Sequence, residues 1–141
     1  MKDLAKVLSA ATLAASVILG GMTSAYAKDL CIGDPGTLIR FSKVKLPKTA
    51  GSATTLQGSG VFISGAVNVI TGAAVRLTDG TIQLGLMSHG KGGAGLNDYT
   101  LGGIVDDTLA GTLNYDNAGD YNKDSGTLVF TVIDCSTIVF P

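Results

Sequence analysis

The sequence predicts a small all-β domain, an antiparallel and mostly up-and-down barrel of about eight strands, with a β-sandwich as the alternative. Three observations predict it. Apolar and polar side chains alternate with a period of two over most of residues 28–141, and turn-forming Gly and Asp recur about every 8 to 12 residues. The 141-residue chain also contains 20 Gly, abundant Val, Ile and Thr, and no Trp or Glu. Such a composition favours strands joined by tight turns over helices.

The first 27 residues have the three-part layout of a secretory signal peptide. Lys2 and Lys6 supply positive charge, residues 7–21 are almost wholly apolar, and residues 25–27 read Ala-Tyr-Ala, which places small residues where signal peptidase reads. The apolar run is roughly 15 residues long, whereas a membrane-spanning helix needs about 20. We therefore expect cleavage after Ala27, a single domain over residues 28–141 with no integral membrane segment, and a periplasmic or extracellular location.

Two cysteines remain in the mature chain, Cys31 near its start and Cys135 near its end. In an exported protein an even pair indicates one intramolecular disulfide, the alternatives being free thiols or bonds to other chains. The bond closes a loop of roughly 105 residues, worth about 4 to 5 kcal/mol in the chain-entropy model. It also requires the first and last segments to lie side by side, as they do in a closed sheet.

Period-two alternation defines the strands. The predicted segments are residues 37–46, 54–70, 73–78, 81–87, 99–105, 108–115 and 127–133, with residues 136–140 as a short further strand. We expect a bulge near Ser42, where the alternation changes phase, and a break or bend at Gly58 and Gly60. No helix is expected after residue 27.

Turn residues separate these segments. Thr71-Gly72 is predicted to be a turn, and Asp79-Gly80 a type I′ hairpin turn, because Gly supplies the positive φ that this turn requires. Asp106-Asp107 is a third turn. The short connections favour pairing of consecutive strands. Together with the cysteines near both ends of the domain, they favour a barrel over a sandwich.

Several segments place Gly two residues after a large aliphatic residue, and therefore on the same face of the strand. The instances are Leu56/Gly58, Ile63/Gly65, Leu101/Gly103 and Leu109/Gly111. Alternating large and small side chains on one face suits a closed sheet with a tapering interior.

The only histidine, His89, lies in the glycine-rich stretch 88–97, which is predicted to be a connecting loop. Lys91 in this stretch is followed by Gly92 rather than by Ser or Thr and a helix, so the stretch is not a phosphate-binding P-loop. With one histidine, two cysteines assigned to a bridge, and two adjacent carboxylates that would point to opposite faces of a strand, the sequence predicts no catalytic residue, no enzyme and no cofactor.

One segment carries the oxygen-bearing residues that a calcium loop uses. Asp120, Asn122 and Asp124 stand at alternate positions, as the ligands of a hard cation often do. Gly126 comes one place late for an EF-hand, Thr131 stands where the bidentate Glu belongs, and no helices flank the segment. A polar hairpin loop has the same composition, so both interpretations stay open.

The formal net charge of −1 gives no electrostatic reason to bind nucleic acid. We therefore expect an exported, non-enzymatic binding or interaction module whose ligand the sequence does not identify. Two alternatives remain: a structural subunit that self-assembles on the cell surface, and a carrier that holds a small apolar ligand in the mouth of the barrel.

Overall fold

The computed structural model describes residues 27–62, 67–90, 98–117 and 124–140. Eight strands pair in chain order, and β1 pairs with β8, so the sheet closes into an antiparallel barrel. The strands are β1 Lys28–Asp34, β2 Thr37–Val44, β3 Ala53–Val61, β4 Val67–Arg76, β5 Ile82–Gly90, β6 Tyr99–Val105, β7 Gly111–Asn117 and β8 Ser125–Ile133. The predicted up-and-down barrel is confirmed over the sandwich.

The number of strands agrees with the prediction, but their assignment differs in two places. The first strand, β1, was not recognised in the sequence. Thr71 and Gly72, predicted to be a turn, lie within the continuous strand β4, where they pair with Met87 and Leu86 of β5. That turn prediction is wrong because Gly72 points into the barrel, where a Cβ atom would lie 2.2 Å from the carbonyl oxygen of Gly85.

Gly58 and Gly60 do not break the chain either. Both lie inside β3 and pair with Ile70 and Asn68 of β4. The separation between β3 and β4 comes later, after Val61. A Cβ at position 58 would lie 2.1 Å from the carbonyl oxygen of Arg40, so the close approach of β2 explains this glycine.

The end of the chain also departs from the expectation. Residues 136–140 form no strand; a short 3-10 turn spans Cys135–Thr137 after β8. The side chain of Asp134 caps this turn by accepting a hydrogen bond from the backbone N–H of Ser136 at 2.9 Å. The turn redirects the chain so that Cys135 faces β1.

The predicted bulge near Ser42 is confirmed. Lys28 pairs with Val44, and Leu30 pairs with Phe41, so β2 carries one residue more than β1 over this stretch. Lys43 absorbs the extra length with φ of 52°.

The hairpin at Asp79-Gly80 is confirmed, but its turn type is not the one predicted. Leu77 N–H donates to the Thr81 carbonyl at 2.9 Å, and Gly80 N–H donates to the Leu77 carbonyl at 3.1 Å. Of the residues in this turn only Gly80 has a positive φ, at 86°. The loop is therefore a type I turn followed by a left-handed residue, which is the usual three-residue hairpin loop.

The apolar side chains of alternate strand positions fill the barrel. The largest fully buried ones include Phe41, Phe130, Ile32, Ile39 and Leu113. Gly58, Gly72 and Gly103 point inward beside them, as the predicted alternation of large and small residues requires. In the described ranges, no helix has the length and apolar character needed to cross a bilayer.

The predicted disulfide between Cys31 and Cys135 is present, with a Cα–Cα distance of 5.3 Å. Cys31 lies on the outer face of β1, between the inward-pointing Leu30 and Ile32, and pairs with Ile133 of β8. The bond therefore reinforces the seam where the first and last strands close the barrel.

Candidate functional site

The two ends of the barrel differ in chemistry. We call the end where β2, β4, β6 and β8 finish the hairpin end, because it carries the hairpins at residues 77–81 and 106–110. The opposite end, where β3, β5 and β7 finish, carries three aromatic rings, and we call it the aromatic end.

The rings at the aromatic end come from three parts of the chain. Phe62 follows β3, Tyr99 begins β6, and Tyr115 lies near the end of β7. Phe62 and Tyr99 are stacked, with ring centroids 5.0 Å apart and planes inclined by 14°. Tyr115 meets Tyr99 edge-on, at 6.2 Å and 67°. Such pairs stabilise each other beyond simple burial, which fixes the rings in one arrangement.

These rings line a small cavity. Its remaining lining comes from Thr37, Asp124 and Leu128, and its volume is about 50 Å³. Sites for drug-sized ligands measure roughly 300 to 1,000 Å³. The cavity therefore has room for one small chemical group, and a larger ligand would have to extend out of the barrel.

A layer of polar side chains lies at the same end. All of the polar side chains that are buried in the described part of the chain belong to it: Thr37, Asn68, Ser88 and Asn117. Asn68 Nδ2 donates a hydrogen bond of 2.7 Å to Ser88 Oγ across β4 and β5. Burying a polar group is unfavourable unless it is hydrogen-bonded. These four polar side chains are therefore concentrated at one end of a barrel whose interior is otherwise apolar.

Aspartates are the charged residues of this end of the barrel in the described part of the chain. Tyr115 donates its hydroxyl to Asp124 Oδ2 at 3.1 Å, and this hydrogen bond to a carboxylate raises the pKa of Tyr115. The described part of the aromatic end carries four aspartates, Asp34, Asp98, Asp116 and Asp124, and no lysine or arginine. Lys91 and Lys123 lie outside the described residues.

His89 is not in a loop, contrary to the prediction. It lies in β5, pairs with Val69 of β4 and points outward. Its Nδ1 is 3.4 Å from Asp98 Oδ1, and the same carboxylate oxygen accepts a hydrogen bond of 3.2 Å from the backbone N–H of Gly90. The strand extends two residues beyond Ser88 because Ser88 and Gly90 continue the pairing with Ile70 and Asn68. The rest of the predicted loop, residues 91–97, lies outside the described residues.

Two of the three candidate calcium ligands, Asp120 and Asn122, also lie outside the described residues. Asp124 contributes its carboxylate to the lining of the aromatic cavity and its backbone carbonyl to a 2.8 Å hydrogen bond from Asn117 N–H. Within the described ranges, no three His, Cys, Asp or Glu residues come together as a metal-binding group. The calcium hypothesis stays a prediction.

At the hairpin end, Arg76 connects three loops. Its Nε donates to the Pro47 carbonyl at 2.9 Å, and its guanidinium also donates to the Gly80 carbonyl at 2.6 Å and to Asp107 at 2.5 Å. The Arg76 side chain is only 12% exposed. With its donors used by the protein itself, this arginine is a structural clamp.

The outer wall of β3 to β8 is almost free of charge. Its outward positions carry mainly Thr, Val, Gly, Ala, Gln and Asn, and among them only Asp116 has a formal charge. Gly85 and Gly102 pair with each other on this wall. A Cβ at position 85 would meet nothing within 4 Å, and one at position 102 would make only an ordinary contact of 3.6 Å. The packing of the barrel does not require glycine at either position.

The aromatic site was not identified in the sequence. The alternation placed Tyr99 and Tyr115 on the inward faces of their strands, but only the strand register shows that they meet each other and Phe62. Comparison with known proteins adds no candidate function, since no family model, no curated protein and no solved structure matches the chain.

Proposed function

We propose that this chain is an exported, non-enzymatic binding module of the periplasm or extracellular space, and that it holds a small polar group at its aromatic end. One observation carries the proposal. Three aromatic rings and all of the buried polar side chains in the described residues converge at one end of a barrel whose interior is otherwise apolar.

Export is supported by the signal-like residues 1–27 and by the disulfide. A bond between Cys31 and Cys135 is stable in an oxidising compartment and is uncommon in the cytosol. The predicted removal of residues 1–27 leaves the barrel strands intact, because β1 begins at Lys28.

The packed interior does not favour a carrier of apolar ligands. Carrier barrels keep an interior space for the ligand, whereas here Phe41, Phe130 and the aliphatic side chains occupy it. The small mouth cavity includes Thr37 and Asp124 in its lining. We therefore favour a ligand that inserts one polar group and leaves the rest outside.

Backbone and side-chain NMR shifts test this proposal. A library of small polar fragments is titrated into the mature, oxidised protein at millimolar concentration. We expect shift changes that cluster on Tyr99, Tyr115 and their neighbours, and that disappear in the Tyr99→Leu variant. Met87→Leu on the outer wall is the matched control and should bind like the wild type. Shift changes confined to the outer wall, or none with any fragment, would contradict the proposal.

A structural subunit is the second candidate, and the outer wall favours it. A closed barrel has no free strand edge, so assembly by edge pairing, which the sequence left open, is not available to the described strands. In this candidate, self-association uses the wall, where the bare backbone of Gly85 and Gly102 lies between Met87 and Ile104, which are 51% and 49% exposed. Two such neutral faces meet without like-charge repulsion.

Sedimentation equilibrium distinguishes this candidate from a monomeric binding module. Self-association through the wall predicts a concentration-dependent mass that falls to the monomer value in Gly85→Lys, while Gln57→Lys, farther round the wall on β3, serves as the charge control. A monomer at all concentrations would exclude the second candidate and leave the first unaffected.

A further inference from the structure

We propose that the group recognised at the aromatic end is an organic cation, an alkylated or quaternary ammonium head group. This inference rests on the proposed binding function and adds the chemical class of the ligand. It comes from the rings, the charges and the size of the same cavity, each of which restricts the ligand separately.

The rings provide an electron-rich surface for a cation. The face of an aromatic ring is negative and attracts an ammonium group within about 6 Å of its centroid. Phe62, Tyr99 and Tyr115 all line the cavity. Phe62 and Tyr99 are stacked, and Tyr115 is inclined to Tyr99 by 67°, so the stacked pair and the third ring border the cavity in different orientations. A compact cation in such a corner contacts more than one ring at once.

The charges at this end have the matching sign. Asp124 lines the cavity itself, Asp98 immediately precedes β6, and Asp116 lies on the outward face of β7. All lysines and arginines in the described residues belong to β1, β2, the loop that follows β2, or the last residue of β4. The formal charges of the described residues at the aromatic end are therefore negative, a sign that favours cations over carboxylates and phosphates.

The hydrogen bond from Tyr115 to Asp124 joins these two features. It holds the Tyr115 ring in the lining and leaves the second carboxylate oxygen of Asp124 available to a positive charge. The raised pKa of Tyr115 keeps this hydroxyl protonated, so it continues to donate to the carboxylate at any physiological pH.

The size and the donor set favour an organic cation over a metal ion. Calcium takes about 6 to 8 oxygen ligands. The side chains that line this cavity offer one carboxylate, from Asp124, and the hydroxyl groups of Thr37 and of two tyrosines; the rest of the lining is apolar. A volume of about 50 Å³ accepts one or two alkyl groups of an ammonium head group but not a drug-sized molecule. The rest of the ligand would lie outside the mouth.

A comparison of choline with its uncharged isostere tests the inference. Both are titrated into the mature, oxidised and chelator-treated protein, with the NMR shifts of Tyr99 and Tyr115 as the readout. We expect choline to bind with a millimolar Kd and 3,3-dimethyl-1-butanol, which has the same shape without the charge, to bind about fivefold more weakly. Equal binding of both compounds would overturn the inference that the ligand is a cation and would leave the proposed binding function in place. No binding of either at tens of millimolar would overturn both.

Variants assign the effect to named groups. Asp124→Asn keeps the shape and removes the charge, so the preference for choline over the isostere should shrink to about twofold or less. Tyr115→Phe keeps the ring and should bind choline within about twofold of the wild type, because the attraction depends on the ring face. Asp107→Asn at the hairpin end is the charge control and should leave binding unchanged. Circular dichroism and thermal unfolding of each variant verify the fold. An unchanged preference in Asp124→Asn would contradict the role given to this carboxylate.

Discussion

The hairpin end and the aromatic end use the same barrel for different purposes. At the hairpin end, the short loops are held by internal hydrogen bonds and by hydrogen bonds from Arg76. The carboxylates of these loops accept hydrogen bonds from residues of their own turns. At the aromatic end, polar side chains are buried inside the barrel, and Asp124 lines a cavity together with three aromatic residues. This contrast predicts that the hairpin end contributes more to the stability of the barrel than the aromatic end does.

The two hairpins of the hairpin end have the same backbone conformation. Both have the same pair of backbone hydrogen bonds, and both place a left-handed residue in the fourth position of the loop. In one loop this residue is Gly80, with φ of 86°; in the other it is Leu109, with φ of 64° and a side chain that is 0% exposed. A left-handed conformation costs a non-glycine residue about 1 to 2 kcal/mol. Burial of the Leu109 side chain in the core offsets that cost.

The largest effect should come from the disulfide. Replacing Cys31 and Cys135 together by Ser should lower the free energy of unfolding by about 4 to 5 kcal/mol, because the bond closes a loop of some 100 residues. Urea unfolding monitored by tyrosine fluorescence measures the change. A loss below about 1 kcal/mol would mean that the barrel closes equally well without the bond, and that the hairpin end owes little of its stability to it.

Leu109 should have the next largest effect. Leu109→Ala leaves a cavity and keeps the unfavourable φ, so we expect a loss of about 3 kcal/mol. Leu109→Gly removes the same side chain but relieves the backbone strain, and should be no less stable than the Ala variant. Ala is the better residue at most strand positions, so the opposite order would show that the strain at Leu109 is not real. Chemical denaturation of both variants decides this.

Arg76→Ala should cost about 2 kcal/mol, because a charged side chain that is only 12% exposed is lost together with its hydrogen bonds to acceptors in three separate loops. Arg40→Ala is the matched control. Arg40 pairs with Asp29 but is 40% exposed, so its removal should cost at most about 1 kcal/mol. Equal losses of unfolding free energy in the two variants would contradict the role of Arg76 as a clamp between the loops of the hairpin end.

The pH dependence of stability should also originate at the hairpin end. Hydrogen bonds from Thr108 lower the pKa of Asp106, and those from Thr81 lower the pKa of Asp79. A carboxyl whose pKa is lower in the folded state stabilises the protein above its unfolded pKa, and this stability is lost as the pH falls through the folded value. The barrel should therefore weaken below about pH 4.

The Asp106→Ala variant checks the source of this dependence. It should lose about 1 kcal/mol at neutral pH, since the carboxylate accepts from Thr108 and Ala110, and less at pH 2. Urea midpoints measured from pH 7 to pH 2 would show the two curves converging in acid. Parallel curves would assign the acid sensitivity to other carboxylates.

The smallest effect on stability should be at the aromatic end. Tyr115→Phe removes one solvent-accessible hydrogen bond to Asp124 and keeps the ring contact with Tyr99. We expect a change within about 0.5 kcal/mol in thermal unfolding. A larger loss would show that this end also contributes to stability, and the contrast between the ends would fail.

Features that depend on a few neighbouring residues were predictable from the sequence. The bulge at Ser42 follows from a phase change in the alternation, and the hairpin at Gly80 from its need for a positive φ. The strand β1 was missed because its outward residues, Cys31 and Gly33, are covered by the segment around Ile133 and do not look like a solvent-exposed face.

The candidate site depends on information that no local pattern contains. Phe62, Tyr99 and Tyr115 come together only through the register of β6 against β7 and the closure of the whole sheet. In the same way, Gly72 was predicted to be a turn because the neighbours that crowd it, Gly85 and Leu86, lie on another strand. The architecture of the barrel was therefore predictable from the sequence, whereas the contacts between strands that are distant in the chain were not.

The bond between Cys31 and Cys135 also determines how the domain carries a mechanical load. A pull applied to the chain on either side of these two residues passes directly through the covalent bridge. The hydrogen bonds between β1 and β8 and the strands enclosed by the bridge then bear no tension. Only reduction of the bridge would transfer the force to the seam and allow the barrel to be peeled open.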